Sequence, residues 1–198
     1  MPPDPPPARR PPFAGVVLTG GASRRMGRDK AFVDVHGRPL AAVARDALAR
    51  AGATEVVAVG GDADRLASLG LRPVADRWPG AGPLGALVTA LGAVEAPVAV
   101  VLACDLVAVD AAAVRVVLRA LATSGADVAV PVVAGRLEVL AAAWSVRCRP
   151  ALATAFAAGL RAPSRALADL RVHEVRGLPP DSLVDADSPA DLARYARP

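Results

Sequence analysis

The chain is 198 residues long, 54% hydrophobic and only 3% aromatic, with a formal charge of +4. That apolar share excludes a disordered chain and suffices for one α/β domain with a core of Ala, Val and Leu. The modest charge, with no Arg run interleaved with aromatics, excludes a nucleic-acid-binding stripe and fits an enzyme of anionic small molecules.

Residues 1–12 hold seven prolines and two arginines. They are expected to form an extended, disordered tail ahead of a single domain at 13–198. From there short β-branched runs alternate with Ala/Leu-rich amphipathic segments. Strands are expected at 15–18, 55–59, 72–75, 98–103, 127–132, 138–143 and 172–175. Helices are expected at 39–51, 62–69, 84–93, 110–124, 150–157, 165–170 and 189–196. Pro39 is read as opening the first long helix, and Ser188-Pro189 as an N-cap followed by Pro at the first helical position. Strands that are apolar throughout, such as 98–103, need cover on both faces, which a parallel sheet between helices provides. The expected fold is therefore α/β: a single doubly wound, Rossmann-like domain with a mostly parallel central sheet flanked by helices.

The apolar run 86–104 is interrupted by Glu95 and Pro97 and reads as helix, turn and buried strand, not as a membrane span. Arg9 and Arg10 precede an apolar stretch, 16–18, far too short for a secretion signal. Cys104 and Cys148 match no metal spacing and are expected as buried free thiols in a reducing compartment, hence a cytoplasmic protein.

Residue usage sharpens the reading. The chain has no Ile, Asn or Gln, and Lys30 is its only lysine. Lysine offers a compact ammonium where arginine offers a planar fork, so a lone lysine beside a glycine loop is a candidate for chemistry. It closes the stretch Val16-Val-Leu-Thr-Gly-Gly-Ala-Ser-Arg-Arg-Met-Gly-Arg-Asp-Lys30. An apolar strand ends there in paired glycines, and Arg24, Arg25 and Lys30 supply charge for a phosphate. The spacing is neither the dinucleotide fingerprint nor the P-loop. Asp76 follows a strand and precedes Gly80-Ala-Gly-Pro-Leu-Gly85, where a carboxylate could face a base, ribose or metal. Asp105 follows the most apolar strand, a placement suited to Mg2+, which prefers one or two carboxylates plus phosphate oxygens. Each of these aspartates alone also reads as a turn or cap residue. Together the three elements put a phosphate cradle, a nucleoside contact and a metal carboxylate on one sheet edge, as in an Mg2+-dependent nucleotidyltransferase. Asp185 and Asp187 precede the last helix and read either as substrate contacts or as charges complementing its dipole. His36 and His173 match no ligand pair and read as surface or turn residues.

The stretch Gly15-Val-Val-Leu-Thr-Gly-Gly-Ala-Ser-Arg-Arg-Met-Gly-Arg-Asp-Lys-Ala31 resembles the opening of molybdenum cofactor guanylyltransferases. Gly37-Arg-Pro-Leu40, Ala75-Asp76, Gly82-Pro-Leu-Gly85, Cys104-Asp105 and Asp185-Ala-Asp-Ser-Pro-Ala-Asp-Leu192 follow in the same order. The resemblance implies transfer of GMP from GTP to a molybdopterin cofactor, forming the guanine dinucleotide cofactor and pyrophosphate with Mg2+. It implies that the backbone of Leu18, Thr19, Gly20 and Gly21 holds guanine and phosphate. Arg25 and Lys30 would bind the triphosphate, Asp76 the nucleoside and Asp105 the metal; Lys30, Arg25 and Asp105 would be the catalytic set. Its partners would be GTP, the molybdopterin cofactor and the receiving molybdoenzymes or their chaperones, with no nucleic acid and no membrane. Four features depart from the family's pattern: Thr19 for Ala, Val107 for Pro, Leu137-Glu138 for a Gln-Pro or His-Pro pair, and Asp185 and Asp187 for asparagines. They lie mostly on the acceptor side. The alternatives are a cytidylyltransferase or a nucleotidyltransferase of another phosphorylated acceptor, and a non-catalytic binding chaperone for nucleotide or molybdopterin.

Overall fold

The first strand, β1 (Phe13–Leu18), is buried at every position. Its side chains alternate between two separate cores, Phe13 and Val17 in one and Ala14, Val16 and Leu18 in the other. A strand with two apolar faces needs helices on both sides. The structure, a computed structural model, describes residues 11–20, 29–35 and 37–186. A short antiparallel ribbon, β2 (Asp34–Val35) and β3 (Arg38–Pro39), leads into α1 (Leu40–Ala51). Then come β4 (Val56–Val59), α2 (Ala63–Ser68), β5 (Arg72–Val74), α3 (Pro83–Ala93), β6 (Val98–Ala103) and α4 (Ala111–Ser124). The chain continues with β7 (Val128–Val133), β8 (Arg136–Leu137), β9 (Ala141–Ser145), α5 (Arg149–Ala157) and β10 (Val172–Val175). Helices α1 and α4 pack their apolar faces on one side of the sheet, α3 and α5 on the other. The α/β reading with a covered, mostly parallel sheet is what the structure has.

The strand order is β10-β7-β9-β6-β1-β4-β5, with β8 beside β7. The pairs β5–β4, β4–β1, β1–β6 and β7–β10 are parallel. The exceptions are β9, which runs antiparallel between β6 and β7, and the short β8, antiparallel to β7. Because the chain steps from β1 outward to β4 and β5 and then returns to β6 on the other side of β1, the order reverses there. A crevice opens at the carboxyl ends of β1 and β6, the usual ligand position in open α/β sheets.

Local chemistry explains the boundaries. Asp62 and Asp110 cap α2 and α4, accepting from Arg65 N at 3.1 Å and Ala113 N at 2.9 Å. Gly15 lies so close to α1 that a Cβ there would stand 2.9 Å from Leu48 Cβ, so only glycine lets the helix rest on β1. Four expectations shift. Strand β1 starts at Phe13, not Gly15, because Phe13 and Ala14 pair with Val98 and Ala99. The strand expected at 138–143 is displaced to β9 (Ala141–Ser145), because Glu138 N donates to Pro131 O and Ala141 N to Glu138 O, closing a turn over 138–140. The helix expected at 165–170 is a 3-10 turn, Pro163–Ala166. Ala166 and Leu167 are still buried, so packing of these side chains, not helical hydrogen bonding, decides the local chain path. Pro39 belongs to β3 with an extended ψ of 140°, and the helix begins one residue later. The tail at 1–10 and the helix at 189–196, with its Ser188-Pro189 cap, lie outside the described residues.

One ion network ties the amino ends of the outer strands. The Asp127 carboxylate, just before β7, accepts from Arg147 Nε at 3.0 Å and from Arg171 N, Nε and Nη2 at 3.0, 3.2 and 3.2 Å. Hydrogen bonds from Arg171 first, then from Arg147, hold this carboxyl at about 2, well below its usual range. The folded-state value is depressed, so the stabilisation is fully present above the unfolded carboxyl's ordinary value. It fades as pH falls towards 2. Asp127→Asn should lower stability at pH 7 by about 1 kcal/mol, a figure kept small because both arginines are largely exposed. Urea titrations should show the gap from native protein closing below pH 3.

Candidate active site

Leu18 and Ala103 are paired as the last residues of β1 and β6. The chain leaves these ends as Thr19-Gly20 and Cys104-Asp105, joined by Cys104 N donating to Leu18 O at 3.2 Å. The Thr19 and Gly20 amides both donate to Val59 O, at 3.1 and 3.0 Å. The buried Thr19 hydroxyl shares its proton between Gly60 O at 2.8 Å and Val59 O at 3.1 Å. Gly60 has a φ of +81°, and a Cβ on it would stand 2.7 Å from Gly20 Cα. The β1 and β4 ends thus touch backbone to backbone, which requires glycine. The amides of Thr19 and Gly20 are committed to this junction, so these two residues shape the crevice wall by close approach. Gly21, Arg24 and Arg25, expected beside them, lie outside the described residues, as does His36.

Lys30 opens a 3-10 turn, Lys30–Phe32, whose start is fixed by Asp29 accepting from Ala31 N at 3.1 Å. That turn delivers Lys30 Nζ to 3.3 Å from Asp105 Oδ2, across 75 residues of sequence. Both side chains are mostly sheltered, 18% and 23% exposed. Burial raises the Asp105 carboxyl above its ordinary value, while the Lys30 ammonium and its hydrogen bond pull the other way. A cavity of about 200 Å3 opens here between Leu18, Thr19, Gly20, Lys30, Cys104 and Asp105. A half-buried carboxylate beside a lysine suits a cation that takes one or two carboxylates and completes its shell with phosphate oxygens and water, the habit of Mg2+. Among the described residues no three His, Cys, Asp or Glu side chains form a metal cluster.

Cys104 lines the same cavity and is buried. Burial, reinforced by the neighbouring Asp105, pushes its thiol up to about 12. Burial does the same to Cys148. Both should resist iodoacetamide at pH 8 in the native protein and label fully in denaturant. Labelling of native Cys104 at the rate of a free thiol would contradict the burial.

The larger cleft, about 1000 Å3, lies between the β1, β4 and β5 ends and the start of α3. Its walls include Gly20, Gly60, Gly61, Asp76, Gly80 and Gly82. It meets the smaller cavity at Gly20, Pro83 and Ala86, which line both. Asp76 forms a turn in which its Oδ1 accepts from Trp78 N at 3.0 Å and faces Thr89 Oγ1 at 3.4 Å. Its Oδ2 is turned towards Gly20, where an added Cβ would lie 3.9 Å away. A larger cleft lined by the Asp76 carboxylate therefore adjoins a smaller cavity lined by Lys30 and Asp105. Another cavity, about 330 Å3 and bounded by Phe13, Val98 and Leu121, lies at the opposite, amino ends of β1 and β6.

The acceptor-side candidates converge partly. Asp185 forms an isolated antiparallel bridge with Leu106, flanked by Val107 N donating to Val184 O and Ala186 N to Asp105 O, both at 3.0 Å. Val107 is buried in a small cluster with Val35, Leu40 and Ala186, which explains why an apolar residue serves at this position. Asp185 is exposed, and its charge helps to raise both Asp105 and Glu138. For Glu138 burial is the larger cause. Asp187 lies outside the described residues, and His173 is an exposed residue of β10. Thr89 is not legible from residue order. A threonine inside an apolar helix carries no signal until its neighbours are known.

Comparison with known proteins follows the same outline. Residues 15–174 match the MobA-like NTP transferase domain family. The molybdenum cofactor guanylyltransferase of Xanthomonas euvesicatoria is 42% identical over 51% of this chain and 51% of its own length. A probable molybdenum cofactor guanylyltransferase of Bacillus subtilis is 34% identical over 69% of each chain. The first of these alignments thus spans about half the relative's length. The crystal structure of molybdopterin-guanine dinucleotide biosynthesis protein A from Archaeoglobus fulgidus shares the fold, with a TM-score of 0.74 at 23% identity over 92% of this chain and 96% of that one. With the family match running from β1 into β10 and the strand-end site in place, the chain belongs to the MobA-like NTP transferase domain family.

Proposed function

We propose that the protein transfers the GMP moiety of GTP to the terminal phosphate of a molybdopterin cofactor, releasing pyrophosphate. The observation that carries this reading is the Lys30–Asp105 pair at the β1–β6 switch point, opening directly onto the cleft that holds Asp76. The family membership and the names of the relatives support it.

The base preference follows from donor chemistry. A carboxylate only accepts hydrogen bonds. Guanine offers adjacent N1–H and N2–H donors, whereas adenine and cytosine pair their amino donor with a ring nitrogen acceptor that a carboxylate repels. Asp76 therefore favours guanine. Leu18, Thr19, Gly20 and Gly21 would form the backbone wall between nucleoside and phosphates. Lys30 and Arg25 neutralise the triphosphate and hold it for in-line attack. A pterin phosphate oxygen bonds to the α-phosphorus, and the bond from that phosphorus to the α–β bridging oxygen breaks. Pyrophosphate leaves with the bonding pair, so the protein needs no nucleophile of its own. Asp105 would hold Mg2+, which when bound supplies charge neutralisation to the phosphates. Asp185 would contact the acceptor, with Asp187 as the second candidate from the sequence, and the product would pass to molybdoenzymes or their chaperones in the cytoplasm.

One observation favours a second reading of the acceptor. Asp185 places negative charge near Asp105, which suits a phosphorylated acceptor bearing a cationic group better than a bare phosphate. Pyrophosphate release with Mg2+, molybdopterin cofactor and GTP, CTP or ATP tests both. Release with GTP alone is the expected result. Release with CTP alone would replace guanylyl by cytidylyl transfer. GTP binding without release would remove the pterin as acceptor.

A further inference from the structure

Among the described residues the buried polar side chains are Thr19 and Thr89, each 5% exposed in cores otherwise built of apolar groups. A buried hydroxyl is costly unless it is hydrogen-bonded, and both of these are. Thr19 closes the junction of β1 and β4 described above. Thr89 lies in α3, buried behind the Asp76 turn, and its hydroxyl joins three partners. It back-bonds to Gly85 O at 3.0 Å, one turn earlier in the helix. It accepts from Arg77 N at 3.3 Å. It also stands 3.4 Å from Asp76 Oδ1, the longest of the three contacts. The single hydroxyl proton is shared between Gly85 O and Asp76 Oδ1.

These contacts pin the turn at Asp76-Arg77-Trp78 to the helix behind it. Oδ1 is engaged by Trp78 N and faced by Thr89, which leaves Oδ2 towards Gly20 and the cleft. Every other side chain of α3 from Leu84 to Leu91 is apolar or absent, so no neighbour on that helix could replace the hydroxyl. We propose that Thr89 is a positioning residue that fixes the Asp76 carboxylate with one oxygen presented to the base, and so sets the preference for guanine. The inference rests on the reading of Asp76 as the base contact.

Binding of GTP and of ATP to the full-length protein, each with Mg2+ and without acceptor, is measured by calorimetry for native protein, Thr89→Val, Thr89→Ser and Asp76→Asn. Valine keeps the shape and removes the hydroxyl; serine keeps the hydroxyl. Thr89→Val should weaken GTP binding about tenfold, the effect of one hydrogen-bonded contact. ATP affinity should change less than twofold, because ATP does not use that contact, and the GTP-over-ATP ratio should fall accordingly. Thr89→Ser should restore the ratio, and it carries the test if the valine variant fails to fold. An unchanged ratio in Thr89→Val, or an equal loss for both nucleotides, while Asp76→Asn abolishes discrimination, would overturn the role of Thr89 alone. An unchanged ratio in Asp76→Asn would overturn the base-contact reading itself, and the inference with it.

Discussion

Asp105→Ala is expected to reduce pyrophosphate release by on the order of a hundredfold or more, with the fold intact. The residue stands beyond the carboxyl end of β6 and lines the smaller cavity with Lys30. Its structural work is done by the main chain, where its carbonyl accepts from Ala186 N at 3.0 Å. Alanine retains that bond, so thermal unfolding should move little while catalysis collapses. Asp105→Asn keeps the shape and removes the charge, and it should be nearly as inactive. Titration of Mg2+ against rate is the decisive readout. An Asp105→Ala enzyme with native turnover and an unchanged metal titration would show that the metal is held elsewhere.

Lys30→Ala should lower kcat/KM by about tenfold or more, through loss of charge compensation on the triphosphate. Lys30→Arg should recover part of this at most. The ammonium sits in a cavity of about 200 Å3, only 18% exposed, where a planar guanidinium has different demands on space and direction. Because Lys30 Nζ lies 3.3 Å from Asp105 Oδ2, the two substitutions act on one unit. The double variant should be no worse than Asp105→Ala alone, the non-additivity expected of contacting groups. Native activity in Lys30→Ala would remove lysine from the mechanism, and full additivity would separate the two groups functionally.

Much of this site is legible from residue order because strand ends are legible. Runs such as Val98–Ala103 are apolar throughout, and the first charged residue beyond each marks where the strand leaves the core. Asp105 is found that way, and Asp76 after Arg72–Val74 similarly. Lys30 is marked by composition, as the only lysine in an arginine-rich chain. The antiparallel course of β9 is not legible, because apolar periodicity carries no strand direction. Nor is the turn at Glu138 that separates β8 from β9, since it depends on the Pro131 carbonyl across the ladder. The Pro163–Ala166 turn reads as part of a helix for a related reason. Ala166 and Leu167 supply the right apolar pattern, yet burial against the core sets their path.

By itself the sequence determined the fold class, the covered parallel sheet and the three strand-end positions that carry the candidate chemistry. Those depend on side-chain hydrophobicity at short range, and short-range patterns survive in one dimension. Only the tertiary structure decided which groups meet. It set Lys30 against Asp105, committed the Thr19 and Gly20 amides to Val59 and joined Asp185 to Leu106. It also placed the Thr89 hydroxyl behind Asp76. Hydrogen bonds and ion pairs are effective only within a few ångströms and in defined directions. Their partners lie from 13 to 75 or more residues apart, and it is the packing of helices on the sheet that brings them together.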